Sequence, residues 1–320
     1  MADVLYIVVP CYNEQEVLPE TVSRLSDKLG ALIAAGRVSE HSRLLFVDDG
    51  SGDRTWELIS QYHRSTPLVC GVRLTRNKGH QNALLAGLMT AREHADVTIS
   101  MDADLQDDIG AVDGFLDKYE AGCDIVYGVR SSRDTDTAFK RLTALAFYRL
   151  MRLLGADTVY NHADYRLMSR RALDGLAQFG EVNLFLRGIV PMIGYRTGTV
   201  EYARGERFAG ESKYPLSKML NFALDGVTSL SVRPIRLIAA AGALIFGASL
   251  VWGLVLFILL LCGQPCSGTT ALAMCVWAAC GLQLGAIGVI GEYLGKIYLE
   301  TKARPRYLIE TVLDDDRASE

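Results

Sequence analysis

The chain has 320 residues, half of them hydrophobic, with a formal net charge of −4 and seven cysteines. That length bounds it to one large domain or two smaller ones, and cysteines scattered without a C-x-x-C pair exclude a structural zinc site and a disulfide-framed secreted domain. Charge is unevenly placed, with no Lys, Arg, Asp or Glu between Arg236 and Glu292, so local charge says more about partners than the net value.

The N-terminus opens on an acidic residue and a short apolar run rather than a secretory signal, so the large domain is expected to stay in the cytoplasm. Residues 5–9, 44–47, 68–74, 97–101 and 125–129 read as buried strands. Between them, 17–33, 55–63, 82–93 and 111–120 carry helix-spaced apolar residues. Near-continuous apolar strands alternating with helices predict an α/β fold with a mixed, mainly parallel sheet covered by helices on both faces. Ligands of such sheets sit beyond the carboxyl ends of the strands. Cys11, Cys70 and Cys123 lie in or beside apolar runs and read as buried thiols.

Residues 137–155 combine Phe139, Leu142, Leu145, Leu150 and Leu153 with Lys140, Arg141, Arg149 and Arg152. Two readings stand: a basic amphipathic helix in a membrane interface, or a helix on the domain core with its bases in solvent. Two uncharged stretches follow, 237–262 and 270–291, separated by the turn residues Gly263 to Gly268. Each exceeds or matches the ~20 residues a helix needs to cross hydrocarbon. Arg233 and Arg236 before them, and Lys296, Lys302, Arg304 and Arg306 after, place both outer ends in the cytoplasm by the positive-inside rule. The expected organisation is therefore a large domain over 1–210, an interfacial connector over 211–234, a transmembrane hairpin over 235–293 and a cytoplasmic tail over 294–320. Gly281 with Gly285, and Gly291 with Gly295, allow close helix contact within the hairpin or between copies in a homo-oligomer.

Polar constellations follow the strands: Pro10 to Glu14, Asp48 to Ser51, Asp102 to Asp107, and Gly128 to Arg130. Asp102 and Asp104, two apart after a buried strand, can aim two hard oxygens the same way, which suits Mg²⁺ or Mn²⁺ completed by water and phosphate. Arg76 to Gln81 opens a helix whose N–H groups favour an anion. There His80 is either a sugar or phosphate contact or an ordinary helix-start residue.

The segments VVPCYNE, FVDDGSGD, RNKGHQNALLAG, MDADLQD, ADYRLMSR and RFAGESKY, spread over about 7–214, resemble the family 2 glycosyltransferases of the GT-A fold. The similarity is to the polyprenyl-phosphate branch, which includes dolichyl-phosphate mannose synthases and bactoprenol glucosyltransferases. The resemblance implies that Pro10, Tyr12, Glu14, Val47 and Asp49 line the nucleotide base and ribose pocket. Asp102, Ala103 and Asp104 would hold the diphosphate and its metal, with Gln106 as a further ligand. Arg130, Arg207 and Lys213 would bind phosphate of donor or acceptor. It also implies a multi-pass inner-membrane enzyme that inverts the anomeric centre, with a UDP-sugar as donor, undecaprenyl or polyprenyl phosphate as acceptor, and no nucleic acid partner. Asp164 falls where bactoprenol-type relatives carry an acid proposed as the catalytic base. A phosphate monoester with its second pKa near ~6 is already largely dianionic at neutral pH, so an orienting or structural role for Asp164 stays open beside the base.

Alternatives are a GDP-mannose-dependent polyprenyl-phosphate mannosyltransferase and a non-catalytic sugar-nucleotide-binding membrane subunit. A processive polysaccharide synthase is disfavoured because Trp56, Trp252 and Trp277 follow Thr or Val rather than the Arg of a Gln-x-x-Arg-Trp motif.

Overall fold

The computed structural model describes residues 2–130, 162–182, 184–203 and 268–314, with isolated helical positions between 240 and 258. The chain divides into two compact units. The first comprises Met1–Tyr148, Thr158–Tyr214 and Arg304–Glu320; the second comprises Arg149–Asp157 and Pro215–Ala303.

The first unit is built on an eight-stranded sheet in the order β7-β5-β6-β4-β1-β2-β3-β8. Strands β1 (Leu5–Cys11), β2 (Arg43–Asp48), β3 (Val69–Leu74), β4 (Val97–Ser100) and β5 (Ile125–Arg130) occupy the five predicted runs. Helices α1 (Leu18–Ala34), α2 (Thr55–Ser65), α3 (His80–Ala91) and α4 (Ala111–Glu120) fill the intervals between them. Strands β1 to β4 pair in parallel. Strand β6 (His162–Ser169) runs antiparallel to both β4 and β5, and β7 (Thr197–Tyr202) parallel to β5. Two short helices, α5 (Arg170–Leu176) and α6 (Leu186–Met192), lie between β6 and β7.

Strand period sorts the core into two layers. Leu5, Ile7, Val9 and Cys11 of β1 pack with α1, α2 and α4 on one face, while Tyr6 and Val8 pack with α3, α5 and α6 on the other. Helix α1 buries Leu18, Val22, Leu25, Leu29 and Leu32 at helical spacing. It starts with a proline in its first turn and stops where Gly36 turns to φ +68°. The free thiols Cys11, Cys70 and Cys123 are buried, as expected.

A strand lies within the interval 294–320 that the sequence leaves as a tail. Strand β8 (Ile309–Leu313) pairs antiparallel with β3 and covers what would be an open sheet edge. Residues 304–320 accordingly belong to the first unit.

The described part of the second unit is α7 (Gly268–Lys302), a helix of 35 residues. The predicted second span, 270–291, lies inside it. Gly291 does not stop the helix, because Glu292, Lys296 and Glu300 are good helix formers, and the chain turns only at Ala303, at φ 44°. Among the described residues no helix is long and apolar enough to cross a membrane, so the expected transmembrane hairpin finds no support there. The interval 237–262 falls almost wholly outside the described residues, as do 137–155 and the loop with Arg207 and Lys213.

Close approach of α3 to the sheet depends on Gly87, where a Cβ would lie 2.5 Å from Val8 Cγ1 and 2.6 Å from Val47 Cγ2. Gly30, inside α1, has nothing within 4 Å of the same position. Alanine at Gly30 should therefore stabilise the fold by ~0.5–1 kcal/mol through helix propensity. Alanine at Gly87 should destabilise it by ~1–2 kcal/mol, because overpacking against two β-branched side chains outweighs that gain. Denaturant midpoints of the two variants should move in opposite directions.

Candidate active site

Four loops converge at the carboxyl edge of β1, β2 and β4. The loops after β1 and β2 are laced together: Asn13 N–H donates to Ser51 Oγ at 3.0 Å, and Gly52 N–H donates to Asn13 Oδ1 at 2.9 Å. Glu14 N–H donates to Thr55 Oγ1 at 2.9 Å, and Gln15 N–H to Asp53 Oδ2 at 3.2 Å. Asn13 takes φ 55°, a strained value for a residue with a side chain. Gly50 takes φ +66°, and a Cβ there would meet the Arg76 carbonyl carbon and Asn77 nitrogen at 2.6 Å, so only glycine fits. A cavity of about 450 Å³ opens between these loops, lined by Asn13, Glu14, Gln15, Glu16, Val17, Gly52 and Asp53. Of the expected base and ribose residues, Glu14 lines it, and Tyr12 stands exposed.

Asp49 is 2% exposed and accepts the Lys78 and Gly79 N–H groups at 2.7 and 2.9 Å, so it fixes the approach to α3. Burial pushes its carboxyl up against the two backbone donors that pull it down. Val47 is fully buried and packs on α3 beside Gly87, so its side chain is a core element rather than an exposed pocket wall. Pro10 is buried at the end of β1, opposite Val47.

Strand β4 ends at Ser100 and delivers Asp102, Ala103, Asp104, Gln106 and Asp107 in one turn. Ala103 is buried, and its carbonyl accepts Thr21 Oγ1 at 2.9 Å. Asp104 Oδ1 accepts the Gln106 N–H at 3.2 Å across Leu105, which takes φ 56°. Asp107 is buried and accepts Tyr202 Oη at 2.6 Å; Arg130 Nε in turn donates to that oxygen at 3.4 Å.

Strand β6 brings in the second acid, Asp164. Its register pairs Ser100 with Arg166 as the last pair of the ladder, and Asp102 and Asp164 each lie two residues beyond that pair on the same edge. Ser100 Oγ donates to the Asp164 carbonyl at 2.6 Å and holds that alignment. Asp164 Oδ1 accepts Arg166 Nη2 at 2.5 Å and Arg187 Nε at 3.3 Å, and its Oδ2 accepts Arg187 Nη2 at 3.0 Å. His80 Nε2 stands 3.6 Å from both Asp102 Oδ1 and Asp164 Oδ2, bridging the two acids.

The two carboxyls are tuned apart. Burial raises Asp102, and Asp107, Asp164 and Asp104 add to the rise against the pull of His80, taking it to about 6. Burial would also raise Asp164, but His80, Arg187 and Arg166 overcome it and hold that carboxyl well below its usual range. For His80, burial opposes the charge while Asp164 and Asp102 favour it, and its value rises.

A divalent ion suits the Asp102–Asp104 turn. Both acids supply hard oxygens and Gln106 supplies a neutral one; a cation would offset the burial that chiefly raises Asp102 and the repulsion from Asp107, Asp164 and Asp104 that adds to it. Among the described residues no three His, Cys, Asp or Glu side chains gather as a complete metal site.

Arg166, Arg187 and Tyr202 are absent from the residues expected from sequence, Asp107 appears there only within its constellation and without a role, and His80 is left open. Arg166 sits inside the motif ADYRLMSR, two residues from Asp164 and so on the same strand face. Arg187 has no sequence signal beyond its type. Arg207 and Lys213 lie outside the described residues.

A mixed, mainly parallel sheet with an acidic turn at its carboxyl edge and an antiparallel strand bringing a second acid to the same edge is a GT-A-like α/β arrangement. Residues 6–176 match the family described as Glycosyl transferase family 2. A glycosyltransferase of Bacillus subtilis, YkoT, is 52% identical over 99% of this chain and 94% of its own. Bactoprenol glucosyl transferase of Shigella phage SfX is 38% identical over 95% of this chain and 98% of its own. An Escherichia coli K12 prophage homologue of that enzyme is 37% identical over 96% and 98%. Among solved structures, a mannosyltransferase from Pyrobaculum calidifontis with GDP-Man and Mn²⁺ aligns at TM-score 0.45 and 18% identity, over 95% of this chain and 87% of its own. The chain belongs to glycosyl transferase family 2 and is a glycosyltransferase.

Asp164→Asn should destabilise the protein by ~3 kcal/mol at neutral pH, because it strips the charge that balances the buried Arg166. The native carboxyl lies below its unfolded value near ~3.9, so its stabilisation is present above that value and is lost as pH falls through the depressed native one. Denaturant titrations at neutral and acid pH should show the gap between wild type and variant closing on acidification.

Proposed function

We propose that this glycosyltransferase moves one hexose-type sugar, glucose or N-acetylglucosamine, from a UDP-sugar to undecaprenyl or another polyprenyl phosphate at the cytoplasmic face of the cell membrane. The carrying observation is the acidic turn Asp102–Asp104 facing the cationic group around Asp164 across a single strand register. The bactoprenol glucosyl transferases among its relatives support the lipid acceptor and a glucosyl donor.

In the proposed reaction an acceptor phosphate oxygen bonds to the anomeric carbon as that carbon's bond to the β-phosphate oxygen breaks. The electron pair leaves with UDP, and the configuration inverts. A Mg²⁺ or Mn²⁺ ion at Asp102 and Asp104 would neutralise charge on the leaving diphosphate. In this reading the loops after β1 and β2 would hold the nucleoside, and Arg130, which donates to Tyr202 as Tyr202 donates to Asp107, would meet a phosphate. The acceptor, with its second pKa near ~6, arrives largely dianionic and needs no base.

Membrane attachment is proposed through the uncharged stretch 237–291. Its support is the exposed apolar side chains there, including Leu244, Val251, Leu254, Leu272, Val276 and Ile287. The full chain should sediment with membranes and resist alkaline carbonate extraction; release by carbonate would remove this part of the proposal.

The activity is tested with a donor panel against undecaprenyl phosphate and Mg²⁺ or Mn²⁺, reading lipid-linked sugar. UDP should compete better than GDP, and the reverse would move the assignment to a mannosyl donor. Asp104→Asn keeps size but loses a hard ligand. Its turnover should collapse and partly recover at raised metal concentration, whereas normal activity with normal metal dependence would refute the ion site.

A further inference from the structure

Asp164 has three basic neighbours, and their exposure divides them. Arg166 is sealed, with its side chain 1% exposed and its Nε and Nη1 lacking hydrogen-bond partners, so no ligand can reach it. Arg187 and His80 are accessible, at 34% and 43% side-chain exposure. Arg187 grips Asp164 through Nε and Nη2 together, which fixes the plane of the guanidinium while a third of the side chain faces solvent. Both oxygens of Asp164 are engaged by these cations. The acid is thus arranged to aim positive charge, not to collect a proton.

The location adds the second half of the argument. Asp164 stands across the β4–β6 register from Asp102, with His80 touching both. A donor diphosphate at the Asp102–Asp104 turn would therefore have Arg187 and His80 beside it. Two anions must approach one another there, the acceptor phosphate and the donor diphosphate, and fixed positive charge between them lowers that repulsion in the transition state. A planar guanidinium suits the tetrahedral oxygens of a phosphate better than an ammonium does.

Resting on the lipid-phosphate reading above, we infer that Arg187, aimed by Asp164 and flanked by His80, receives the phosphate monoester of the acceptor, and that Asp164 is a positioning residue rather than the base. Arg187 is then the catalytic residue of the pair, since it touches substrate.

The test uses the full chain in detergent or lipid nanodiscs with Arg187→Ala and Arg187→Lys, each checked for an unchanged melting temperature. Arg187→Ala should raise KM for undecaprenyl phosphate about 10-fold or more, the loss expected for one charge-assisted contact, while UDP binding by calorimetry stays the same. Arg187→Lys, which keeps charge but loses the fork, should fall between. Added guanidinium should restore part of the rate to Arg187→Ala and none to Arg187→Lys, an effect a merely structural role would not give. A short isoprenyl phosphate should compete with the lipid on wild type more strongly than inorganic phosphate, and lose that competition in Arg187→Ala. Equal competition by inorganic phosphate would overturn the lipid-borne assignment. An unchanged acceptor KM, or an equal loss of UDP affinity, would overturn the role of Arg187. A wild type that transfers no sugar to polyprenyl phosphate would instead sink the proposed function, so the two failures are distinguishable.

Discussion

The antiparallel pairing of β6 against β4 is the constraint from which the site follows. Asp102 and Asp164 are far apart in sequence, and only this ladder, with Ser100 facing Arg166, sets them side by side. A one-residue slip would turn Asp164 to the other face of the sheet and Arg166 with it. Register is secured twice over. Leu167 packs into one core layer and Met168 into the other, and the Ser100 hydroxyl holds the Asp164 carbonyl directly. Reversing direction matters as well. Strand β6 begins where β4 ends, so its first residues arrive at the edge where parallel strands present ligand loops.

That placement has an electrostatic cost, since Arg166 is a charge taken out of water. Moving an ion into the interior costs several kcal/mol even after relaxation, and attraction to one partner offsets this only with good geometry. Two nitrogens of Arg166 lack hydrogen-bond partners, so the pair with Asp164 is a poor device for stability alone. It makes sense as a fixed point. Arg166 holds Asp164 ionised from behind, and Asp164 orders Arg187 and His80 in front. The layering runs from sealed to exposed, in the direction from which a substrate would come.

How much of this was legible in the sequence depends on whether the signal is local. Strands β1 to β5 and helices α1 to α4 were readable because their apolar period is carried by neighbouring residues. The acidic turn after β4 was readable because both acids lie on it. Strands β6, β7 and β8 pair with strands distant in sequence, and β7 alternates exposed and half-buried positions with little apolar signal. Val47 shows the converse limit. The family resemblance implied a place for it in the nucleotide pocket, but its side chain is buried against α3, where Gly87 leaves room for it. His80 and Arg187 acquire their meaning only from the β4–β6 register, which no single segment records.

Strain falls on the same edge. Asn13 and Leu105 take φ of 55° and 56°, each in a loop that meets the proposed donor, and each side chain in that region costs ~1–2 kcal/mol. The surrounding structure tolerates this because both loops are over-determined. Asn13 is held by Ser51 and Gly52, and the turn containing Leu105 is pinned by Thr21 on one side and Tyr202 on the other. Both anchors come from rigid elements, α1 and β7, rather than from other loops. A site that must bring two anions together cannot let its charges relax away from one another. Bracing the acidic turn from α1 and β7, and the cationic group from β6, fixes their separation before either proposed substrate arrives, which is the sense in which such a site is preorganised.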